Sequence, residues 1–145
     1  MPYIKPEDRP QYEAYIKNVV TELQAGNELD EEEVAEFAKK VPMAGHANYI
    51  ISSIIWRLFD AKPSYTYGND LISAVEDVKS CLANKNAWTD QASGAFYTFL
   101  KRLCYGFKGN FVGVRGMLSC VVLEFYRRRL GAYEDQVIGK NGDIL

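Results

Sequence analysis

Apolar residues recur at helical spacing along most of the chain, which predicts an all-α fold: a compact domain of about six helices. The first helix begins near Pro10, a residue suited to a first turn, and runs to about Ala25. Tyr12, Tyr15, Ile16, Val19, Val20 and Leu23 form its stripe, and Gly26-Asn27 stops it. A second helix starts at Asp30 or Glu31, with acids 30–33 at its positive end and Val34, Phe37, Ala38 and Val41 on its apolar face. Pro42 and Gly45 break the chain. The third helix, His46 to Phe59, is apolar almost all round and is expected to be central. Lys62 to Gly68 reads as a loop, and a fourth helix spans about Asn69 to Ala83. After a linker at 84–88, Thr89 is a candidate cap for a fifth helix reaching Tyr105. Asn110 or Gly113 opens the sixth, with Val114, Met117, Leu118, Val121, Val122 and Phe125 inward. Gly131 reads as its C-terminal cap. Residues 132–145 have little periodicity and are expected to form an ordered, extended tail.

The third and fourth helices resemble the fifth and sixth. Ile54-Ile55-Trp56-Arg57-Leu58-Phe59 aligns with Phe99-Leu100-Lys101-Arg102-Leu103-Cys104 at an offset of 45 residues. The expected organisation is therefore one domain: N-terminal helices (1–44), two related helical hairpins (46–83 and 89–130) and a tail (131–145). Two such hairpins would pack about a pseudo-twofold axis, with Arg57 and Arg102 at equivalent positions in the groove between them.

At 145 residues, 48% of them hydrophobic and 25% charged, the chain suits one folded domain. The formal net charge of −2 argues against a duplex-DNA binder, which needs a basic excess to displace counterions. The opening residues lack the apolar run of a signal peptide, and no stretch approaches the apolar length of a membrane helix. A cytoplasmic protein without membrane contact is expected. Cys81, Cys104 and Cys120 lack metal-ligand spacing and read as reduced, mostly buried thiols.

His46 is the sole histidine, so a two-His zinc site within one chain is excluded, and its place at a helix start suits a capping or exposed role. No Walker loop and no dinucleotide glycine motif is present. These readings give no catalytic set, no metal site and no cofactor. The densest chemistry lies at Glu124-Phe125-Tyr126-Arg127-Arg128-Arg129, followed by Tyr133-Glu134-Asp135. Consecutive arginines turn by about 100° each on a helix, so the three cannot share a face. One or two would complement the helix's negative end, and one would pair with Glu124 or Glu134. The functional alternative is anion recognition. Arg127 and Arg128, with Arg57 and Arg102, would offer planar forks to a phosphate, while Tyr126 or Tyr133 stacks on a base. Glu124, Glu134 and Asp135 would dock the tail, either on the same subunit or on a neighbour.

The two ends of the chain carry a family resemblance. Met1-Pro2-Tyr3-Ile4 with Glu7-Asp8-Arg9, and Glu124-Phe125-Tyr126-Arg127-Arg128 with Tyr133-Glu134-Asp135 and Asn141-Gly142-Asp143, resemble the termini of a small uncharacterised phage and bacterial family. Asn48-Tyr49-Ile50-Ile51 is similar to that family's Asn-Tyr-Val-Ile. Ala132 and Gln136 depart from its proline and lysine, and typical members are shorter, with one hairpin. The resemblance implies a phage or bacterial cytosolic protein and brings no catalytic residues.

These readings converge on a non-enzymatic binding protein, expected to form a homo-oligomer. In a phage setting it would be a counter-defence protein that sequesters a nucleotide signal or blocks a host protein. The alternatives are a structural or protein–protein interaction subunit without a small ligand, and a metal-dependent hydrolase built on Glu124, Glu134 or Asp135.

Overall fold

The computed structural model describes residues 4–83 and 94–142; the linker at 84–88 and the Thr89 cap lie outside them. A single 3-10 turn (Pro6–Asp8) leads into α1 (Pro10–Gln24), α2 (Glu31–Lys39), α3 (Ala44–Ala61) and α4 (Tyr65–Ala83). Then come α5 (Ala95–Phe107), α6 (Val114–Phe125), a π-helical turn (Tyr126–Leu130) and α7 (Gly131–Asn141). Among the described residues there is no strand, and the fold is all-α.

Local chemistry explains most of the boundaries. Pro10 sits in the first turn of α1. The Asp30 carboxylate accepts the Glu33 N–H at 3.0 Å and caps α2. Helix α3 starts two residues before His46. Helix α4 starts at Tyr65, inside the expected loop, because Ser64 caps it. The Ser64 hydroxyl accepts the Tyr67 N–H at 3.0 Å, and its carbonyl accepts the Gly68 N–H. Gly113, at φ 90°, supplies the left-handed residue that opens α6. Asn110 opens no helix. Its side-chain amide donates to the carbonyls of Ala38 (2.7 Å) and Val41 (3.3 Å), satisfying the C-terminal end of α2.

The principal partners are α1 with α3, α2 with α5, α3 with α6, and α4 with both α5 and α6. Helices α3 and α4 touch little, and α5 and α6 less, so each helix packs mainly on one outside its expected hairpin. Helix α3 is central as its composition predicts, with Ile50, Ile51, Ile54, Ile55, Leu58 and Phe59 all buried. Its one buried polar pair is self-satisfied: the Ser52 hydroxyl donates to Asn48 Oδ1 at 2.9 Å.

The extended tail is not observed. Gly131 has helical φ and ψ (−62°, −42°), and the chain stays helical to Asn141. The reason lies in the spacing of Phe125 and Leu130, both buried to 1% exposure or less. Five α-helical residues turn the chain by about 500°, which would leave Leu130 about 140° off the core face. The wider π turn absorbs the extra residue and returns Leu130 to the core. Gly131 closes the turn by donating its N–H to the Tyr126 carbonyl. A β-carbon at Gly131 would lie 2.9 Å from that carbonyl oxygen, so glycine serves the turn's close approach rather than ending the helix. Gly68 does the same across helices, since a β-carbon there would meet Leu130 at 2.7 Å.

Gly131→Ala is therefore expected to destabilise the fold by about 1–3 kcal/mol, the usual range for forcing an atom into a packed site. A denaturant titration checks this. An unchanged midpoint would mean that the π turn does not hold the α6–α7 junction.

Candidate ligand-binding cleft

The residues proposed from sequence do not gather at one place. Arg57 of α3 donates to Glu13 Oε2 of α1 at 2.8 Å, while Arg102 of α5 lies 3.8 Å from Glu31 of α2 and donates to the Leu29 carbonyl at 3.3 Å. The two positions are equivalent in that each arginine meets a glutamate of the N-terminal helix packed on its own. They pair with different helices rather than facing one groove. Arg127 and Arg128 both clamp Glu124, at 3.3 Å and 2.7 Å. Burial raises the Glu124 carboxyl, but the hydrogen bonds from Arg128 and Arg127 outweigh it and hold the group below the usual carboxylate range.

Arg129 turns the other way, as three consecutive arginines must. Its guanidinium lies over the Trp56 ring at 4.5 Å, and its Nε forms a 3.4 Å ion pair with Asp60 that lacks hydrogen-bond alignment. Tyr133 meets Phe59 edge to face at 5.9 Å, so this part of the tail docks on its own subunit. Tyr126 is half exposed, Glu134 is partly buried and Asp135 is exposed. His46 is half-buried, its Nδ1 2.6 Å from the Tyr12 hydroxyl. Cys81 and Cys104 are buried and Cys120 is exposed. Among the described residues no three His, Cys, Asp or Glu side chains converge as metal ligands.

Arg102 instead belongs to a cleft of about 580 Å³ between α2 and α5, lined by Glu31, Ala35, Tyr97, Thr98, Lys101, Arg102, Tyr105 and Gly106. Helix α5 divides cleanly. At about 100° per residue, Phe99, Leu100, Leu103, Cys104 and Phe107 fall on one half of the helix. All five are buried to 2% exposure or less. Lys101, Thr98, Tyr105, Arg102 and Gly106 fall on the other half, and Tyr97 lies at the boundary, buried to 8% exposure. The buried face fixes the helix, at about 1.5–3 kcal/mol for each large apolar side chain, and so fixes the cleft's outer face.

Helix α2 forms the wall because Gly106 lets it come close. A β-carbon at Gly106 would collide with the Ala38 β-carbon. Helix α4 supports the floor through Cys81. Its Sγ is 3.5 Å from the Tyr97 hydroxyl, and its carbonyl accepts the Tyr105 hydroxyl at 3.2 Å. Burial, with smaller effects from Cys81, raises both phenols, so both rings stay neutral at ordinary pH. The Lys101 ammonium lies 5.6 Å from the Tyr97 ring centroid. The cleft thus brings Lys101 and Arg102 together with Tyr105 and the buried Tyr97 on one helix.

Two further clefts border α6. One of about 520 Å³ lies at the α5–α6 loop beside Lys108, Phe111 and Arg115, and one of about 380 Å³ lies against the start of α3. Neither brings two cations and two tyrosine rings together.

Residues 1–89 match the sequence family described as a domain of unknown function, DUF6899. The chain belongs to that family. The matched stretch covers α1 to α4, including the α2 wall of the cleft. Helix α5 and the Glu124–Asp135 motif lie beyond it. No curated protein and no solved structure matches this DUF6899 chain. Among its described residues no helix is long and apolar enough to cross a membrane.

The Arg57–Glu13 pair gives a pH test of the α1–α3 contact. The hydrogen bond from Arg57 holds the Glu13 carboxyl below its usual range, against a smaller opposing effect of burial. A depressed carboxylate contributes stability that is present above its unfolded value and lost as pH falls through the folded one. Both side chains are more than a third exposed, so the pair is screened. Arg57→Ala should then cost about 0.2–1 kcal/mol at neutral pH. Most of that difference should vanish well below the ordinary glutamate value of about 4.3. Denaturant melts at the two pH values decide it, and a cost that persists in acid would assign the effect to lost packing.

Proposed function

We propose that this DUF6899 protein is a non-enzymatic binding protein whose α2–α5 cleft holds an anionic, ring-bearing ligand of the nucleotide class. The observation that carries the reading is Arg102. One edge of its guanidinium is anchored on the Leu29 carbonyl, while among the described residues the other meets a loose 3.8 Å carboxylate, in a cleft that also holds Lys101, Tyr97 and Tyr105. A guanidinium held in place by a backbone carbonyl is pre-organised for a phosphate, and its fork matches two phosphate oxygens. Tyr105, partly exposed in the cleft, offers apolar ring surface to a base or sugar, while Tyr97 is buried beside it. The cleft volume falls in the range of small-molecule sites, about 300–1,000 Å³. Arg127 and Arg128 are less suited, because Glu124 already takes both. In a phage setting such a protein would act stoichiometrically, lowering the free concentration of a nucleotide signal.

A second reading, a protein-interaction subunit or homo-oligomer, draws on exposed apolar residues near α6. Val112 is 95% exposed, Leu123 68% and Met43 53%.

A thermal-shift panel of linear and cyclic nucleotides tests the first reading, with mass analysis of the ligand released by heat. The expected result is a shift with the ligand recovered unchanged. Arg102→Ala should weaken binding by roughly tenfold or more, the value of a charged hydrogen bond. Arg57→Ala, Arg127→Ala and Arg128→Ala should bind as the parent does. Normal binding by Arg102→Ala would refute the site, and an altered ligand mass would mean an enzyme. No shift across the panel would favour the interaction subunit.

A further inference from the structure

We infer that the cleft selects a nucleotide bearing a single negative charge, a phosphodiester such as a 3′,5′-cyclic nucleotide, over polyphosphates, and that Glu31 sets this selection. The inference rests on the nucleotide reading of the cleft and concerns which nucleotide it takes.

The charges around the cleft do not suit a polyanion. Among the described residues its cations are Lys101 and Arg102, both on α5. Facing them in the first turn of α2 is Glu31. Consecutive helix positions turn by about 100° each, so Glu32 and Glu33 point elsewhere, and the Glu33 charge is felt at the Tyr15 phenol of α1. On the α4 side the Asp77 charge is felt at the Tyr97 phenol. Among the described residues lining the cleft, the positive charge is carried by Lys101 and Arg102, with Glu31 beside them. A second or third phosphate adds negative charge next to that carboxylate, where like charges oppose binding.

Glu31 is the acid at the cation itself. Its side chain is 74% exposed against 30% for Arg102, and their 3.8 Å separation is too long for a hydrogen bond. Such a pair is worth little, so a single phosphate displaces the carboxylate from Arg102 at small cost. The displaced charge stays tethered to the first turn of α2, beside the ligand, and repels a second or third phosphate. Selection thus comes from a residue that gives way to one negative charge and opposes more.

The test is titration calorimetry of the full chain with 3′,5′-cyclic AMP and with ATP in metal-free buffer, on the parent, Glu31→Gln and Glu36→Gln. Glu36 is an exposed α2 residue paired with Lys39 and outside the cleft lining, so its variant makes the same net-charge change elsewhere. Asp30 still caps α2 in every variant. The parent should bind the cyclic nucleotide roughly tenfold or more tighter than the triphosphate, the scale of one like charge at a few ångströms near a surface. Glu31→Gln should narrow that ratio by roughly tenfold, mainly by tightening the triphosphate. Glu36→Gln should leave it unchanged. Equal or tighter triphosphate binding by the parent overturns the inference and leaves the nucleotide site standing, as does an unchanged ratio in Glu31→Gln. Absence of binding by either nucleotide to every variant overturns the nucleotide reading and this inference with it.

Discussion

The close approach of α2 to α5 at Ala38 and Gly106 is the contact on which the rest of the molecule depends. With no side chain at Gly106, the two helices meet at a distance no larger residue allows. Helix α2 is only nine residues long and too short to be stable alone, so its order comes from packing. Once on α5 it is held at both ends, by Asp30 at its start and by the Asn110 amide at its last carbonyls. From that position it reaches α1, where Phe37 stacks on Tyr15 at 3.6 Å and meets Tyr12 edge to face at 6.1 Å. The same contact sets the width of the cleft. It brings Glu31 and Ala35 opposite Lys101 and Arg102.

Arg57 and Arg102 show how two similarly covered arginines diverge. Each lies on a helix covered by one of the N-terminal helices, and each meets a glutamate from its cover. On the α1 side the glutamate comes within 2.8 Å, and the pair ties two helices together. On the α2 side the distance is 3.8 Å and the glutamate is largely exposed. The first pair is complete, whereas the second leaves part of the guanidinium turned to the cleft. This difference of about an ångström separates a structural ion pair from a candidate recognition group.

Periodicity made α1 to α6 legible, because each buries a stripe that repeats close to 3.6 residues. It failed where the period itself changed. The five-residue step from Phe125 to Leu130 has no place in an α-helical pattern, so Gly131 read as a stop and α7 as a tail. The start of α4 was missed because Tyr65-Thr66-Tyr67-Gly68 is turn-like in composition, although Ser64 carried a capping signal. Half of the cleft was legible too. Arg102 stood out, but through its repeat partner Arg57 rather than through its neighbours. The Tyr97-Lys101-Tyr105 spacing was available and points to a polar, aromatic helix face. Glu31 read as dipole complementation, which it also provides; its place in the cleft depends on α2 lying against α5, and no local pattern encodes that.

The most direct measurement is hydrogen–deuterium exchange of the full chain with and without a saturating nucleotide identified by thermal shift. If the cleft is the site, protection on binding will concentrate in the first turn of α2 and along 97–106 of α5, with the π turn at 126–130 unchanged. Protection centred on Arg127 and Arg128, with α2 and α5 exchanging as in the free protein, would contradict the account and return the site to the arginine run.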